Sequence, residues 1–106
     1  MRNMHRHQGY VLNHVTAYDD AGEVAPVLFE DGMVHQYHVF LVTIKASWPA
    51  HYKVTVPQMY EAILLALQAR FSEIHLVQSN VAVTADTRTR SAEFQIMFMP
   101  KQEPRP

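Results

Sequence analysis

The chain reads as a two-layer α+β domain: one long helix on a mainly antiparallel sheet of four or five strands, in the order β-β-β-α-β-β. Three observations predict this class. A single segment, Thr55 to Ser72, has helical periodicity and a defined start; the stretches on both sides are rich in β-branched and aromatic residues; and clusters of turn-forming residues separate them.

The first strand is expected over Tyr10 to Tyr18, closed by the turn cluster Asp19, Asp20, Ala21 and Gly22. Val24 to Glu30 follows as a short edge strand or extended loop, because Pro26 has no N–H to give to a ladder. Asp31-Gly32 is a hairpin signal. Met33 to Ser47 is the longest strand expected. Its even positions Val34, Phe40, Val42, Ile44 and Ala46 form an apolar face that continues to Trp48, and its odd positions include Tyr37, Val39 and Leu41. Apolar groups on both faces mark a central strand with partial cover on each side.

Thr55 and Gln58 match the reciprocal capping box, and Pro57 fits the first helical turn, where its missing donor costs little. At 100° per residue the helix keeps one polar stripe of Gln58, Glu61, Gln68 and Ser72, with Leu65 in its middle. The small residues Ala62, Ala66 and Ala69 permit close approach to a sheet. Ile74 to Ala85 and Ala92 to Met99 are two strands joined by DTRTRS. The apolar parity of the first changes between Leu76 and Val81, which predicts a bulge near Gln78 to Asn80. Residues 1–8 read as a flexible basic arm, 9–100 as a single domain, and 101–106 as a flexible proline-containing tail.

With 106 residues, 48% apolar and 18% charged, the chain suits one globular domain with a real core. The formal net charge of −1 supplies no overall field for nucleic acid or anionic membrane, although seven histidines make the balance sensitive to acid. There is no cysteine, which removes thiol catalysis, iron–sulfur ligation and disulfide scaffolds. The polar start MRNMHRHQGY and the short apolar runs, the longest from Ala62 to Leu67, point to a soluble, cytoplasmic protein with no membrane partner.

No motif of the catalytic, metal or nucleotide kind is specific, so no cofactor is expected. His5 and His7 form an HxH pair and His35 and His38 lie in HQYH, but two residues three apart on a strand point to opposite faces. The three glycines read as turn or boundary positions, which leaves no phosphate cradle.

The favoured function is a small non-catalytic binding module acting by stoichiometric protein–protein contact, as an adaptor, inhibitor or assembly subunit, and self-associating as a homodimer. Its contact residues are Tyr37, Val39, Leu41, Met97 and Met99 on the sheet face away from the helix, with Leu65 as the helix-side alternative. The competing structural account has the arm and Val24 to Phe29 folding over that face. A second functional reading is a ligand or single-stranded nucleic-acid binder using Trp48, His51, Tyr52 and Lys53 before the helix, with Arg88 and Arg90 at the second hairpin. A third is a small enzyme with His14, His38 or His75 as base, although Glu61 and Glu93, the acids embedded in regular elements, both fall on solvated positions.

Overall fold

The computed structural model describes residues 4–7, 11–12, 14–71 and 74–100. Among the described residues seven strands and one helix are formed: β1 (Met4–His7), β2 (Ala17–Tyr18), β3 (Val24–Ala25), β4 (Leu28–Gln36), β5 (Val39–Pro49), α1 (Val56–Phe71), β6 (Ile74–Ala85) and β7 (Thr89–Pro100). A five-stranded antiparallel sheet has the order β1-β4-β5-β7-β6, and β2 and β3 form a separate two-stranded ribbon. The fold is therefore α+β with one helix on a mainly antiparallel sheet, as the periodicities predict.

The helix start follows the capping box atom for atom. The Thr55 N–H donates to Gln58 Oε1 at 2.8 Å and the Gln58 N–H donates to Thr55 Oγ1 at 3.2 Å, so two otherwise unpaired donors of the first turn are satisfied. Met59, Ile63 and Leu67 recur at a spacing of four and are fully buried. They pack on Val42, Ile44, Ala46 and Trp48 of β5 and Ala92, Phe94, Ile96 and Phe98 of β7, which form the inner face of the sheet.

Several expected elements are displaced. Met33 to Ser47 is not one strand. It is broken at Tyr37-His38, where φ values of 53° and 67° give the positive-φ pair of a two-residue hairpin turn between β4 and β5. Neither is the Asn, Asp or Gly that such a turn usually carries, so it has no clear sequence signature. Asp31-Gly32, which does carry one, lies inside β4. The reversal also puts Val34 opposite Leu41 on the outer face, whereas Met33 joins the core opposite Val42.

The stretch expected as a first strand is irregular at Val11, Leu12 and 14–16, and only Ala17–Tyr18 is a strand. Position 10 lies outside the described residues. Val11, Leu12, Val15, Ala17 and Ala25 are nonetheless buried in the same core as the helix. The backbone of Val11, Leu12 and Val15, which lie outside any strand, needs partners other than a ladder. Asp31 supplies two of them, its carboxylate accepting from the N–H groups of Val11 and Leu12, the latter at 2.8 Å. Within the expected arm, Met4–His7 pair with β4, and the β4 edge provides the ladder partner. The expected tail lies outside the described residues.

The bulge falls one step earlier than predicted. Leu76 faces Phe98 and Gln78 faces Met97, so Val77 is the extra residue. The second hairpin loop is shorter than DTRTRS, because β7 begins at Thr89.

Two outcomes test these assignments. His38→Gly removes a side chain from a left-handed position that costs an L-residue roughly 1–2 kcal/mol, partly offset by a larger unfolded-state entropy. Urea denaturation should show a gain of up to about 1 kcal/mol, and a clear loss would argue against the turn. Asp31→Ala leaves two buried N–H groups without their acceptor and should cost about 2 kcal/mol in the same assay. A change within about 0.5 kcal/mol would mean that this carboxylate does not anchor the irregular segment.

Candidate functional site: the open face of the sheet

The ladder registers sort the outward residues of the four central and edge strands into rows. Val34, Leu41, Met97 and Gln78 form one row across β4, β5, β7 and β6. Gly32, Thr43, Gln95 and Asn80 form the next, then Glu30, Lys45, Glu93 and Ala82, then Leu28, Ser47, Ser91 and Thr84. The face thus has an apolar end, where Val39 and Met99 also lie, and a polar remainder. Leu41 is 36% exposed, Met99 is exposed, and Val39 and Met97 are half-buried.

No described element crosses this face. The segment from Val11 to Ala25 packs on the inner side beside the helix, and Met4–His7 extend the sheet in its own plane. The described backbone of Met4–His7 and of Val24 to Phe29 does not run over the outer apolar residues, and Leu28, which starts β4, is itself exposed. A shallow depression of about 760 Å³ occupies the polar end, between the side chains of Glu30, Lys45, Ser47, Ser91, Glu93 and Thr84. Lys45 stands in register between Glu30 and Glu93, an alternating-charge row of the kind that favours sheet pairing.

Each of the other candidate residues has a definite place. Tyr37 projects from the β4–β5 turn rather than from the sheet face, and is exposed. Leu65 is 66% exposed on the helix side away from Ile63 and Leu67, with Glu61, Gln68 and Ala69 exposed around it. One leucine among polar neighbours is not a patch. Trp48 is only 1% exposed, and its indole N–H donates to the carbonyl of Val54 at 3.1 Å. It closes the core and offers no face for stacking a base. Arg90 is half-buried and its guanidinium donates to the same carbonyl at 3.1 Å. His51, Lys53 and Arg88 are exposed, and the His51 ring lies 4.5 Å from that of half-buried Tyr52. The anion-site group is thereby split between structural and solvent-facing members.

His5 and His35 are ladder partners across β1 and β4. His14, His38 and His75 are each exposed, while the His35 ring stacks on Phe40 at 4.2 Å. Among the described residues no group of three or more His, Cys, Asp or Glu side chains could hold a metal ion. No described helix is long and apolar enough to cross a membrane. No protein-family model matches the chain, and no curated protein or solved structure matches it.

The residues that sequence reasoning missed are those of β6. Leu76, Val77, Val81 and Val83 are all exposed, although strand alternation reads the valines as core. The buried residues of the sheet under the helix lie mainly on β5 and β7, and of β6 only Ile74 packs against that core. A strand with valines on alternate positions looks the same in sequence whether the sheet edge lies one strand further out or not.

The charge row can be probed directly. Lys45→Glu would align three carboxylates and should lower stability by about 1 kcal/mol, with most of the loss recovered in high salt. An unchanged midpoint at low salt would show that Lys45 does not feel its register neighbours.

Proposed function

We propose that this protein is a small binding module acting by stoichiometric protein–protein contact, as an adaptor, inhibitor or assembly subunit. The observation that carries the reading is the uncovered outer face, where Val34, Leu41 and Met97 stand side by side next to a polar field. An apolar centre with a polar surround is the general anatomy of a protein contact surface. Methionine at positions 97 and 99 adds area that adapts to a partner's shape. A monomer gains little from an apolar end on an open sheet face.

A nucleic-acid or ligand-binding reading draws on exposed His51, Lys53 and Arg88. It loses force because Trp48 and Arg90 are committed to Val54. A histidine-dependent enzyme would require an acid and a histidine around an enclosed space, and the depression beside Glu30, Lys45 and Glu93 is open, with carboxylates and a lysine but no histidine in its lining.

Leu41→Asp and Met97→Asp test the proposal. Both positions face outward, so far-UV circular dichroism and thermal unfolding should stay close to wild type, while capture of a native-host partner should be abolished. Unfolding by either variant would place these side chains in the core and remove the surface on which the reading depends. Complexes that weaken steeply between about 50 and 200 mM salt would instead favour phosphate recognition.

A further inference from the structure

The described residues leave β6 as a free sheet edge twelve residues long. Protein sheets ordinarily protect such an edge with lysine, proline, inward charges or a covering element. IHLVQSNVAVTA has no proline and no Asp, Glu, Lys or Arg, and 75–84 are exposed throughout. Its one irregularity is the bulge at Val77, which leaves Gln78 to Ala85 as an uninterrupted ladder with β7. Leu76, Val77, Val81 and Val83 are between 44% and 58% exposed.

We propose that this edge is a homodimer seam, occupied by β6 of a second copy in antiparallel pairing. This deepens the reading above, resting on it for the mode of action, but uses a different surface from the Leu41 and Met97 end. The argument for a second copy is self-complementarity. A two-fold axis perpendicular to the sheet keeps each residue on its own face, so directly opposed residues must share a face and the axis must pass through a residue rather than between two. Ser79, Val81 and Val83 lie on the inner side opposite Ile96, Phe94 and Ala92. With Ala82 on the axis, Val81 meets Val83 of the partner subunit and Val83 meets Val81 of the partner subunit. On the outer face Asn80 meets Thr84 of the partner subunit, and the smallest side chain lies on the axis itself.

Charge supports the same occupant. Two-fold pairing brings like residues close, and a charged edge would repel its own copy. This edge is uncharged along the whole paired stretch. Closure supports it too. Pairing β6 with β1 of another copy would be head-to-tail and would build an open chain, whereas β6 with β6 closes at two copies. The product is one continuous ten-stranded sheet with both helices on the same side, burying the valines that the single helix leaves uncovered.

Sedimentation velocity and light scattering on the full chain, from about 1 to about 200 μM, read the outcome. Wild type should be a dimer at the upper end. Val81→Lys should weaken the dimer about tenfold or more, because the two-fold axis makes the two introduced ammonium groups diagonal neighbours of like charge across the seam. Val83→Glu should do the same. The double variant Val81→Lys with Val83→Glu should recover association, since in the Ala82-centred register the introduced charges meet with opposite signs. Leu65→Lys, far from the edge, should leave the dimer unchanged, and circular dichroism should show all variants folded. A wild-type monomer throughout, or a dimer indifferent to both single variants, overturns the seam. A dimer lost with Leu41→Asp but retained with Val81→Lys also overturns it, and leaves the outer-face reading standing. Weakening by both single variants without recovery in the double excludes the Ala82-centred seam.

Discussion

The carbonyl oxygen of Val54 holds the two layers together. It accepts from the Trp48 indole and from the Arg90 guanidinium, each at 3.1 Å, and so uses both of its lone pairs. Trp48 and Arg90 are ladder partners at the ends of β5 and β7, which ties the crossover loop to the two central strands at once. Ala50 adds a backbone bond to Arg88 at 2.9 Å. The helix cap, Thr55, is the next residue after the anchor. The direction in which α1 leaves the sheet is thus fixed before its first turn, and Met59, Ile63 and Leu67 follow onto the inner face.

That anchoring explains why two aromatic and basic residues that resemble a recognition loop in sequence have another use. A Trp-Pro step before a helix places an indole where the chain must turn from strand to helix. Burial of the ring requires a partner for its N–H, and the loop carbonyl meets that need. Arg90 then reaches the same acceptor from the next strand. The exposed His51, Lys53 and Arg88 lie outside this arrangement.

Local chemistry made the helix legible: Thr55 and Gln58 specify its start, and spacing alone selects Met59, Ile63 and Leu67. The inner faces of β5 and β7 were also readable, since Val42 to Trp48 and Ala92 to Phe98 alternate cleanly. What sequence did not disclose depended on tertiary partners. Tyr37 and His38 turn with positive φ because the flanking ladder requires it, without the Asn, Asp or Gly that such a turn usually carries. Asp31 looks like a turn residue but is recruited as an acceptor for Val11 and Leu12. Those two are buried without belonging to a strand, which no period of two could reveal. On the candidate surface, Leu41 and Met97 were placed on the outward face by parity, yet Val34 joined them only through the hairpin reversal.

Val77 has a consequence beyond a local kink. On its N-terminal side the helix-facing positions of β6 are even, Ile74 and Leu76; on its C-terminal side they are odd, Val81 and Val83. The bulge is a phase boundary in an otherwise continuous strand. One residue gained or lost between α1 and Leu76 would shift the short leading half alone if the bulge absorbed it. The same change between Gln78 and Val81 would turn Val81 and Val83 toward the opposite face. The two halves of this strand therefore tolerate different kinds of sequence change, and the edge and the closing segment of the core can vary independently.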